Sequence, residues 1–234
     1  MSDVGQWQAL DAAGTIHTAT YTFTGGLTRT VLIQLGEGSF LAFSPGAALV
    51  ESAPEALTPE SELILLAPAA AHTMGLAPWK ARFPKAVVVA AEAARPRVLK
   101  KSGVDAVEAL AALEARLPAH IAVHVPPGCK LGEVWLSVAQ GDRVMWVVCD
   151  AFVNPPELSE KFVLRTLQTL YRAGPGLEVT RLFPKMFKDS ARFREWASER
   201  FSNGRKNVLV PCHGAIDDAP DFTERILDLI QRRF

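Results

Sequence analysis

The chain has few cysteines, no excess of either charge and no long apolar run, and each scarcity removes a class of protein. Three cysteines, Cys129, Cys149 and Cys212, stand among 234 residues. So small and odd a number cannot staple a domain of this length, and reduced thiols are expected. Lys plus Arg equals Asp plus Glu, 25 each. With no net field to concentrate it on polyanions, no nucleic-acid partner is expected. No apolar stretch approaches the ~20 residues of a bilayer span, so no membrane partner is expected either. Met1 to Gly5 lacks a basic segment followed by an apolar core. The expectation is therefore a chain without a secretory signal, cytoplasmic in location.

What is present suits a globular protein, since 49% of the residues are apolar and can fill a core. No repeat, low-complexity tract or linker interrupts 1–234, which is read as a single domain. The first part predicts strands at Thr15 to Phe23 (stopped by Gly25-Gly26), Thr28 to Leu35 and Ser39 to Phe43, ended by Ser44-Pro45-Gly46. From Leu63 the rhythm alternates. Short apolar runs at Leu63 to Leu66 and Ala86 to Ala90 predict buried strands, and Met74 to Phe83, Ala93 to Lys101 and Val107 to Leu117 predict helices.

The second half repeats the order. Strands are predicted at His120 to Val125, Gly132 to Ala139, Arg143 to Cys149 and Asn207 to Val210, with helices near Glu157 to Tyr171 and Lys185 to Phe201. A last helix starts at Asp221, with Glu224 placed for a capping box and Phe222, Ile226, Leu229 and Ile230 on one stripe. Two such halves predict an α/β (α+β) protein, two sheets face to face with helices outside.

Polar or metal-binding residues follow four of the short strands, where α/β folds collect their ligand sites. These are His72 in Ala67 to Gly75, Cys129 in Pro126 to Gly132, Asp150 in Cys149-Asp150-Ala151, and His213 in Pro211-Cys212-His213-Gly214. Imidazole, thiolate and carboxylate all ligate a borderline ion such as zinc. Each also has a duller role: a hydrogen-bonded histidine, a turn-capping aspartate, a small buried thiol. Order and context, four times over, raise them together.

This succession resembles the metallo-β-lactamase superfamily over nearly the whole chain, which implies a four-layer αββα sandwich. The superfamily motif Thr-His-x-His-x-Asp-His-x-Gly falls on Ala67 to Gly75. Pro68 and Ala70 stand for the first two histidines, His72 for the aspartate and Thr73 for the third histidine, and Gly75 is kept. The Pro-Gly-His-Thr-x-Gly turn is similar to Pro127-Gly128-Cys129-Lys130-Leu131-Gly132, with Cys129 at the histidine. Asp150 matches the bridging aspartate, and His213-Gly214 the last histidine-glycine. Arg29, Gly38, Ser44-Pro45, Ala67-Pro68, His72, Trp79-Lys80 and Phe83-Pro84 further resemble a family of unassigned activity within that superfamily, with Ala69 in place of its Asn.

The resemblance implies that the ion site of Pro68, Ala70 and Cys129 is lost, because proline and alanine carry no donor. His72, Asp150 and His213 remain as ligands for one ion, zinc or else iron or manganese, with Asp150 and His213 catalytic. Two readings follow from it. One is a mononuclear hydrolase of ester, thioester or lactone bonds. The other is a non-catalytic relative, without metal, whose pocket takes a small-molecule ligand or a protein. Cys129 as fourth ligand or nucleophile has only Lys130 nearby to lower its pKa. The segment 181–206, with eight basic and three acidic residues, is read as an amphipathic helix with a core-facing aromatic stripe, the alternative being a basic lid. His17 and His124 are read as structural.

Overall fold

The computed structural model describes residues 4–23 and 26–234. Met1 to Asp3 and the Gly25 half of the expected strand stop lie outside the described residues. The chain divides into two compact units, Met1–Ala119 and His120–Phe234.

The first unit carries a six-stranded sheet whose spatial order follows the chain: β1 (Gln8–Ala9), β2 (Ile16–Phe23), β3 (Gly26–Gly36), β4 (Ser39–Phe43), β5 (Glu62–Ala67) and β6 (Val87–Ala90). The first four pair antiparallel, as hairpin-linked strands do, and β5 and β6 join parallel. The run Leu63 to Ala67 is buried throughout, which explains its lack of polar alternation. Helices α1 (Leu76–Arg82) and α2 (Arg95–Ser102) follow β5 and β6, and α3 (Ala111–Glu114) is a single turn. The helix expected over Val107 to Leu117 is thus largely absent. Glu108 instead exchanges backbone hydrogen bonds with Val88 and Ala90, 2.8 and 3.2 Å, extending the sheet edge.

The second unit carries β7 (Ile121–His124), β8 (Trp135–Gln140), β9 (Arg143–Asn154) and β10 (Lys206–Gly214) in the order β10-β9-β8-β7, with only β9 and β10 parallel. Both β9 and β10 run further than the apolar pattern predicts, carrying Asp150 and His213 inside strands. Helix α4 (Phe162–Tyr171) starts later than expected, because the Gln168 side chain accepts the Ser159 amide at 2.7 Å and holds 157–161 as a loop.

The segment 181–206 forms a 3-10 turn and α5 (Ser190–Phe201), capped by Asp189, whose carboxylate accepts the Arg192 amide. Phe187, Phe193 and Phe201 are buried in one aromatic cluster with Trp135 and Phe152, as the amphipathic reading expects. In α6 (Phe222–Arg233) the predicted stripe is buried, but Asp221 makes no side-chain cap. Its carboxylate pairs with Arg225 at 3.1 Å instead. No described helix is long and apolar enough to cross a membrane.

Candidate metal centre

In the first unit the residues after β5 build a clamp around Ser44-Pro45-Gly46. Thr30 Oγ1 donates to the Ser44 carbonyl at 2.8 Å and accepts the Gly46 amide at 2.9 Å. Trp79 Nε1 donates to the Gly46 carbonyl at 2.8 Å from the buried face of α1. Gly75 is glycine for a steric reason: a Cβ there would lie 1.8 Å from the Pro45 carbonyl oxygen. Ser44 Oγ meets His72 Nδ1 at 2.8 Å, a contact that fixes the orientation of the ring. Pro68 and Ala70 are buried, and neither offers a side-chain donor.

In the second unit Asp150 and His213 face each other across the β9–β10 ladder. The ladder is regular from Lys206↔Arg143 to Pro211↔Val148 and resumes at His213↔Val153. Four residues of β9, Cys149 to Phe152, are thus matched by Cys212 alone, and this bulge re-aims Asp150. His213 Nε2 lies 3.2 Å from Asp150 Oδ1, and both side chains are about a quarter exposed, at 23% and 25%. They are anchored yet open to a ligand. Gly214 is required next, since a Cβ would fall 2.1 Å from the Asn154 carbonyl carbon.

Behind this pair lie groups the sequence reading did not single out. Glu133 is fully buried, and its carboxyl accepts Trp135 Nε1 at 2.7 Å and the amides of Ala151 and Asp150 at 3.0 and 3.3 Å. Burial first, and then the nearby Asp150 carboxylate, push it well above the usual carboxylate range. Its signal in the sequence is one acid within the expected strand Gly132 to Ala139, and the observed β8 begins two residues after it, at Trp135. Cys149 and Cys212 are buried thiols, not joined in a disulfide and hydrogen-bonded to each other, and burial raises Cys149 well above the ordinary thiol range. Metal-competent side chains, Cys149, Asp150, Cys212 and His213, are therefore gathered in this unit, and carboxylate, imidazole and thiol suit a borderline ion.

Cys129 sits elsewhere in the unit's apolar cluster, with Phe187 across an isolated bridge. Burial, then Glu133, raises its thiol, against the pull of three backbone amides. Lys130 turns to the Lys185 carbonyl at 3.4 Å. His124 is structural as expected, bonded to Ser137 Oγ at 2.8 Å and packed on Trp146, centroids 5.1 Å apart. Burial, and then Arg200, lower its pKa to about 4. His17 pairs with Leu32 and Ala9 within the first sheet.

Neither a protein-family model nor a curated protein matches the chain. Solved structures do. The DIM-1 metallo-β-lactamase is similar with a TM-score of 0.62 at 11% identity, covering 97% of each chain. The chain has the metallo-β-lactamase fold. A second metallo-β-lactamase, FIM-1 from Pseudomonas aeruginosa in its mono-zinc form, gives 0.56 at 12% identity over 97% of this chain and 95% of that one. A flavo-di-iron protein from Thermotoga maritima gives 0.59 at 11% identity, where this chain spans 62% of the other's length.

Proposed function

We propose that the chain is a metal-dependent hydrolase with one ion, held by Asp150 and His213 with His72 as third ligand. The substrate class is an ester, thioester or lactone, and residues 1–234 act as one metallo-β-lactamase-like domain. The observation that carries the reading is the Asp150–His213 contact of 3.2 Å, part-exposed on a bulge. The place of His72 rests on the order of the sequence motif and on the Ser44 contact that fixes its ring through Nδ1. Two imidazoles and a carboxylate suffice for a catalytic zinc with an open position, and iron or manganese fit the same donors. That a neighbour in fold is known in a mono-zinc form favours a single ion. An ion of this kind acidifies water and polarises a carbonyl. The Asp150 carboxylate faces the His213 ring at 3.2 Å, and burial raises the Cys149 thiol, beside Cys212, well above the ordinary range. Cys129, buried among aromatic rings, is the weakest of the four candidate donors.

A second reading, a non-catalytic relative whose pocket binds a small molecule or a protein, is favoured by one observation. Pro68 and Ala70 are buried and carry no donor, so the half of a two-ion centre that the sequence resemblance puts there has no side-chain ligand from them. Metal analysis of protein purified without a chelating tag separates the readings. The hydrolase reading expects about one transition metal per chain and aryl-ester hydrolysis that chelation abolishes. A metal-free chain without esterase activity leaves the binding reading.

A further inference from the structure

Glu133 belongs to none of the motifs above, yet it is the one carboxyl in the second unit with no exposed surface. Its contacts are directional. Oε1 takes the indole of Trp135 and the Ala151 amide, and Oε2 takes the Asp150 amide. Those amides lie in the bulge where β9 has four residues against one of β10. A bulge breaks the ladder that would otherwise fix the backbone, so something else must fix it. The bound backbone carries the Asp150 carboxylate that faces His213. We infer that Glu133 is a positioning residue: its carboxyl pins the β9 bulge by the amides of Asp150 and Ala151 and so aims Asp150 at the ion. The inference rests on the proposed single-ion reading, and it concerns Asp150's placement rather than chemistry by Glu133.

Glu133→Gln isolates the effect. Its carbonyl oxygen keeps the Trp135 and Ala151 donors, while its amide nitrogen turns a donor toward the Asp150 N–H. Trp135→Phe is the counterpart, removing the indole donor and leaving both amides bound. Zinc affinity and the hydrogen exchange of the Asp150 amide in the metal-free chain are measured for both. Expected is a zinc Kd weakened about 10- to 100-fold in E133Q and little changed in W135F, as for loss of a group that orients a ligand. Asp150 amide exchange is expected to be faster in E133Q alone. Should E133Q fail to fold, E133D, which withdraws both oxygens by one methylene, is read in its place. Equal weakening in E133Q and W135F would mean general loosening and overturns the inference, as does unchanged zinc affinity in E133Q. A parent chain that takes up no zinc removes the single-ion reading instead. Glu133's hold on Asp150 is then judged by the exchange rates alone, and equal rates overturn it.

Discussion

His213 Nε2 lies 3.2 Å from Asp150 Oδ1, across the point where the parallel ladder of β9 and β10 loses its register. Two side chains 63 residues apart in sequence meet because Cys149 to Phe152 bulge against a single residue of β10.

The first prediction concerns that pair. His213→Ala and Asp150→Asn should each remove stoichiometric zinc, read by metal analysis. Cooperative thermal unfolding should persist, because both side chains are part-exposed. Zinc retained in both variants would place the ion elsewhere.

Ser44 should matter to metal without holding it. Its hydroxyl fixes the His72 ring through Nδ1. Ser44→Ala should weaken zinc binding about 10-fold, the lower end for loss of a ligand-orienting partner. Calorimetric titration of both chains gives the answer.

Zinc titration should saturate at one tight equivalent per chain. Pro68 and Ala70 supply no donor, and a backbone carbonyl alone is a poor zinc ligand. Two tight sites would contradict the placement of Ala67 to Gly75 on the superfamily motif.

Gly75→Ala should destabilise the first unit by about 1–3 kcal/mol, the range for forcing atoms into filled space. The backbone at Gly75 has φ −87°, open to any residue, so the penalty is the clash with the Pro45 carbonyl and not backbone strain. Denaturant unfolding of the variant tests it.

Stability should fall on acidification between pH 6.5 and about 4, in part through His124. Its pKa is lowered from 6.5 to about 4 in the folded chain, so over that window the unfolded chain binds the proton and the folded one does not. Above 6.5 both are neutral and the contribution is complete. His124→Gln should flatten the slope of denaturant midpoint against pH in this window.

The strands and the glycines that follow two of them are legible in the chain, because burial writes local patterns. A strand covered on both faces must be apolar, as Leu63 to Leu66 is, and a backbone approached to within a carbonyl's reach admits only Gly75 or Gly214. The aromatic stripe of α5 is legible for the same reason. Local pattern misled where a distant group supplied the partner. Val107 to Ala109 read as helix until Val88 and Ala90 took Glu108 into the sheet, and Asp221 read as a cap until Arg225 took its carboxylate. The bulge in β9, the meeting of Asp150 with His213, and the role of Glu133 were decided only by tertiary structure. A ladder slip and a buried carboxyl's partners depend on which strands lie side by side, and residues 133, 150 and 213 carry no local periodicity that reports it.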